Sequence, residues 1–216
     1  MTFTNSQVNE AILHSLESKK TSFPYRSDES CWHYFLALES DFNNSIRFVD
    51  LDDRNDSTFS IEFARQLVCI STEFETVAKR LCTLIDESKP AGDIGDYKKI
   101  ILSKYSEIYK APVYIDRYKR TIFPFSCWEN KGGKLEWWTA HQHVKRHRQD
   151  YFYEATIKNT LYALASLLLL DLYLYGTINP SCMARKEGTI LLRAPGMVEL
   201  IYCQPEEDLP HLPRTK

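Results

Sequence analysis

The chain lacks a hinge. Its 216 residues hold only seven glycines and nine prolines, and nowhere do these gather with serine into a linker long enough to separate domains. Internal repeats are missing as well, which excludes repeat architectures. The six cysteines, Cys31, Cys69, Cys82, Cys127, Cys182 and Cys203, include no Cys-x-x-Cys pair, so they read as reduced, packed thiols of a cytosolic protein. No excess of one charge is present either: the net charge is -2, too small for a chain that coats nucleic acid as a whole. Residues 1–20 have no basic stretch followed by an apolar one, which argues against a secretion signal. The run from Leu161 to Tyr175 is interrupted by Asp171, and its charge-free part, Asn159 to Leu170, falls short of the roughly 20 residues that span a bilayer. The expectation is a cytoplasmic protein without a membrane partner, with this run as a buried helix.

Composition is that of a globular protein, 44% hydrophobic, 13% aromatic and 26% charged, and the length suffices for one core. Residues 1–30 are polar and weakly patterned, an arm ahead of a single domain over 31–216. Between Cys31 and Leu51 two patterns compete: Trp32, Phe35, Leu36 and Leu38 suit a helix, whereas Ile46 to Leu51 alternates as a strand does. Asp52 to Ser57 is a loop, and Ser57 or Ser60 can cap the next helix. From Ser60 to about Asp86 the apolar residues Ile61, Ala64, Leu67, Val68, Phe74, Ala78, Leu81 and Ile85 recur at three and four, which marks a helix with one buried face.

Gly95 to Tyr109 reads as a second, shorter helix, Val113 to Tyr118 as extended chain, and the stretch with Phe123, Pro124, Phe125, Trp128 and Gly132-Gly133 as an aromatic loop. A long final helix begins near Leu135 or Trp137 and runs to Tyr175, continuous unless it breaks around Arg148 to Asp150. Thr189 to Arg193 and Met197 to Cys203, separated by Ala194-Pro195-Gly196, would pair as a terminal β-hairpin. The fold class is therefore mainly α within α+β: a helical bundle with a small antiparallel sheet and a C-terminal hairpin.

Chemistry concentrates in Trp137 to Arg148, where two tryptophans, three histidines and three cations fall within twelve positions. On a helix, Trp137, His141, Val144 or Lys145, and Arg148 fall at spacings of three or four on one stripe, and His143 with His147 on another. His141 and Arg148 then stand about 10 Å apart along the axis, enough to bracket an anion. Glu75, on a stripe of small and apolar residues, needs a partner; Arg148, Lys145 and His141 are candidates, and Lys79 at four-residue spacing is the ordinary alternative. His141-x-His143-x3-His147 also offers three imidazoles to zinc, but the neighbouring cations repel a dication, and no metal or other cofactor is expected.

The pattern Trp137-Trp138-x-Ala140, then Val144-Lys145-Arg146-His147-Arg148, then Tyr151-Phe152-x-x-Ala155-Thr156-x-x-Asn159-Thr160-x-x-Ala163-Leu164 resembles a group of uncharacterised bacterial helical proteins. More distantly it resembles the HEPN superfamily of small helical ribonucleases and toxins, chiefly over residues 60 to 86 and 135 to 175. That resemblance implies a helical bundle, commonly a homodimer, that acts on RNA by metal-independent cleavage leaving a cyclic phosphate. It further implies a toxin or phage-defence effector with a protein antitoxin or regulator as partner. Carried onto this chain, His147 or His141 is the general base on a ribose 2′-hydroxyl, Arg148 and Lys145 steady the phosphate charge, and Glu75 orients the basic pair. The family places its arginine before its histidine, whereas here His141 and His147 precede Arg148; Arg26 to His33 has the family's order. The rival expectation is a noncatalytic interaction module, whose basic helix docks an acidic partner or supports a homodimer.

Overall fold

The computed structural model describes residues 27–178 and 188–194. The protein is mainly helical with one small antiparallel sheet, as its periodicities indicate. Helix α1 (Ser27–Ser45) buries Trp32, Phe35, Leu38 and Phe42, at the three- and four-residue steps of one helical face. The strand alternative for Ile46 to Leu51 is overturned. The Ile46 amide donates to the Phe42 carbonyl (3.1 Å), so this stretch finishes the helix in a turn, and Phe48, which a strand would need on its inner face, is 88% exposed.

Helix α2 (Ile61–Ile85) starts where Ser60 Oγ accepts a hydrogen bond from the Phe63 amide (3.0 Å), a side-chain N-cap. Its inner face is the expected one, except that Ile61 points to solvent, 81% exposed. Helix α3 (Ile94–Lys104) is capped by the Asp93 carboxylate and is shorter than expected; Ile108 reaches the core from a separate turn, Ile108–Lys110.

Strands β1 (Val113–Ile115) and β2 (Arg120–Ile122) pair antiparallel, Val113 opposite Ile122. The expected extended run Val113 to Tyr118 thus stops at Ile115 and turns through Asp116–Tyr118, with Lys119 in the left-handed region at φ 50°. Neither glycine nor asparagine marks that turn, and β2 is too short to show alternation, so the sequence carries no sign of this hairpin.

Helix α4 (Glu136–Tyr151) and helix α5 (Ile157–Ile178) are separate, joined through a short turn at Phe152–Glu154, so the long final helix does break. By length and composition alone α5 could cross a membrane. In this fold it is the central helix, packed along α2 and against α1 and α4 with leucines buried on every side.

Residues 188–194 come back to this core. Arg193 forms a two-way backbone bridge with Tyr114 of β1, and its guanidinium forks onto Asp116 (2.7 and 2.9 Å). Glu39 of α1, wholly buried, accepts backbone hydrogen bonds from Ile190, Leu191 and Leu192 at 2.9, 3.1 and 2.8 Å. Burial pushes its carboxyl above the ordinary value while the three amides pull the other way. The second arm of the expected terminal hairpin, Met197 to Cys203, lies outside the described residues, as does most of the N-terminal arm. Cys31, Cys69, Cys82 and Cys127 are free thiols.

Glu39→Ala leaves the buried amides of Leu191 and Leu192 without an acceptor, at about 1–3 kcal/mol each, so urea denaturation should show a loss of at least about 2 kcal/mol. Unchanged stability in that variant would mean that residues 188–194 add nothing to the fold.

Candidate functional site

Helix α4 is anchored at one end only. Trp137 and Trp138 pack on Phe74 of α2, ring centroids 4.9 and 5.7 Å away, and Ala140, His141 and Val144 complete the buried face. After Val144 the apolar residues run out: residues 145–150 are all exposed, and the next buried residue is Ala155. No side chain there holds the helix to ideal geometry. His147 departs from it, at φ -138° and ψ 48°, with neither proline nor glycine at the kink.

The expected site residues divide accordingly. His141 is 1% exposed, 5.1 Å from the Trp138 ring, with no hydrogen-bond partner on Nε2. Burial, then the charges of Lys145 and Arg146, push its pKa down to about 4, with Glu75 pulling it up. It is therefore a neutral, packed imidazole at pH 7 and does not open onto a cleft. Glu75 pairs with Lys79 (2.8 Å), the ordinary alternative, and does not orient the basic pair as the resemblance implied.

Lys145, His147 and Arg148 do come together. With Arg146 they form one wall of an open groove of about 750 Å³, whose other wall is the first turns of α2, from Ile61 to Cys69. Arg65 on that wall is committed to Glu62 (2.6 Å) and Asp41 (2.8 Å). Lys145, Arg146 and Arg148 have no ion-pair partner among the described residues, and Asp150 is the one acid lining the groove.

One constellation was missed by sequence reasoning. His143 Nδ1 lies 2.8 Å from Glu154 Oε2, so an ionised Glu154 accepts the Nδ1 proton and leaves Nε2 with a lone pair. The Tyr151 ring sits 4.4 Å from the His143 ring and 6.5 Å from that of His147, so one tyrosine contacts both histidines of that stripe, of which His147 lines the groove. The position of Glu154 is fixed in turn: its carbonyl accepts from Asn159 Nδ2 (2.8 Å), while the Asn159 amide donates to Thr156 Oγ (3.1 Å) at the start of α5. The spacing of the two histidines is visible in the sequence; the partner, eleven residues on and across a helix break, is not.

With His141 turned inward and His143 held by Glu154, the three imidazoles do not converge on one point. Among the described residues no group of three His, Cys, Asp or Glu side chains is placed to hold a metal ion. Comparison with known protein families, curated proteins and solved structures finds no match to this chain.

Because His141 takes a proton at about pH 4 when folded but at 6.5 in a free chain, it contributes full stability above pH 6.5 and loses it as the pH falls towards 4. The loss attributable to it is about 3 kcal/mol by linkage, so His141→Phe should flatten stability against pH across that window in denaturant titrations. An unchanged pH profile in the variant would contradict the buried, neutral assignment.

Proposed function

We propose that this protein binds RNA along the basic end of α4 and cleaves it without a metal, a HEPN-like cytoplasmic ribonuclease of the toxin or defence type. The observation that carries this proposal is the exposed set Lys145, Arg146 and Arg148, without ion pairs and beside an imidazole at the mouth of a groove. Unneutralised cations in a row are what a phosphate backbone selects, because their counterions are released on binding. The roles differ in part from those the resemblance implies. His143, oriented by Glu154, takes the proton from the ribose 2′-hydroxyl through Nε2. The 2′-oxygen attacks phosphorus, the bond to the 5′-oxygen breaks, and His147 protonates that leaving oxygen. Arg148 and Lys145 face the charge that builds on the phosphate. The products are a 2′,3′-cyclic phosphate and a 5′-hydroxyl.

A second proposal rests on Ile61, an exposed isoleucine in the same groove. An acidic protein segment with an apolar side chain, such as a regulator or a second copy of this chain, would cover it, and RNA would not.

Labelled single-stranded RNA, incubated with the pure protein with and without EDTA, should be bound and cut equally in both. His143→Ala and His147→Ala should each lower the cleavage rate by about 100-fold or more. Lys145→Ala and Arg148→Ala should each reduce the slope of log affinity against log salt by roughly 0.7. RNA neither bound nor cut overturns the proposal in favour of the protein partner, and cleavage abolished by EDTA overturns the metal-free chemistry.

A further inference from the structure

At the other end of α4 lies a second cleft, of about 770 Å³, between α3 and the loop that leads into α4. Its size falls within the roughly 300–1,000 Å³ of small-ligand sites. Trp138, part-buried, lines it together with Ile94, Leu102 and Leu135, and its rim carries Lys98, Lys99, Lys131 and Lys134 against one acid, Glu129.

The far wall is held in place rather than loose. Lys98 Nζ donates to the carbonyls of Asn130 (2.6 Å) and Gly133 (3.4 Å), tying α3 to the loop. Gly133 is required there, since a Cβ would overlap the Cys127 carbonyl oxygen. Both acceptors are uncharged carbonyls, so Lys98 has no ion-pair partner among the described residues. Lys99 stands 3.9 Å from Asp96 and is 81% exposed, a pairing worth little in water. Lys131 and Lys134 have no ion-pair partner among the described residues. The amides at the start of α3 are taken by Asp93, so the positive character comes from the lysines alone.

An indole with an apolar surround inside a lysine rim matches a ligand with a flat ring at one end and a phosphate at the other. We infer that this cleft binds one nucleotide unit, its base against Trp138 and its phosphate on Lys131, Lys134 and Lys99. The unit comes either as a free mononucleotide or as a residue of a strand. A strand would also reach the groove, because Trp138 and Lys145 lie on one stripe of α4 about 10 Å apart along the axis. The inference does not need cleavage at the groove to be correct.

The test is titration of the full chain, followed by tryptophan fluorescence, with AMP, UMP, adenosine, inorganic phosphate and a five-nucleotide RNA. Both mononucleotides should quench emission, with adenosine and phosphate at least tenfold weaker. Lys131→Glu combined with Lys134→Glu should weaken AMP by tenfold or more with the fold intact by circular dichroism. Trp138→Phe should retain AMP binding, measured by calorimetry, while losing most of the quenching. Binding of the five-nucleotide RNA well above AMP, reduced by the paired lysine change, assigns the unit to a strand; equal binding assigns it to a free nucleotide. The inference is overturned if no mononucleotide binds at millimolar concentration, if phosphate alone binds as well as AMP, or if the lysine pair is indifferent. RNA binding that survives the lysine change but is lost in Lys145→Ala/Arg148→Ala would sink this site and leave the groove standing.

Discussion

Helix α5 is apolar on every side, and the rest of the fold is shaped by the need to enclose it. A helix with one apolar stripe settles against one neighbour; Ile157–Ile178 buries leucines all round and needs several. Helix α2 supplies the longest contact, α1 and α4 close the flanks, and the start of α5 is pinned by backbone bonds from Ile157 to Thr58 and from Lys158 to Asp56. Each buried leucine contributes about 1.5–3 kcal/mol relative to exposure, far more than any single surface ion pair in the molecule.

That enclosure also decides where chemistry can occur. Helix α4 joins the jacket only as far as Val144. His141, inside that limit, is sealed and neutral, while Lys145 to Arg148, beyond it, face water with their charges unpaired. Facing within one helix therefore separates a sealed structural histidine, His141, from the more exposed His143 and His147 proposed to act on RNA. The same helix turns its other end, at Trp138, to the lysine-rimmed cleft.

Much of the scaffold was legible because periodicity is a local signal: α2, its Ser60 cap and the core of α5 are written in spacings of three and four. The basic cluster was legible as composition. What sequence alone could not supply was orientation and long-range pairing. His141 and Arg148 share a stripe, yet only one is buried, because burial depends on where α2 ends its contact. Glu75 chose Lys79, four residues along its own helix, over any cation of α4. Glu154 reaches His143 only because the helix breaks between them, and Glu39 meets amides some 150 positions away. The pair β1 and β2 escaped because three-residue strands carry too few positions to show a period.

The proposed function stands or falls on whether an RNA strand binds at the exposed end of α4. Backbone amide shifts of the isotopically labelled protein, followed as a short single-stranded RNA is added, test this most directly. Perturbations should concentrate at 143–151 and at the facing turn of α2, 61–69, with His141 little changed. Saturable binding whose perturbations leave those residues untouched would contradict the proposal.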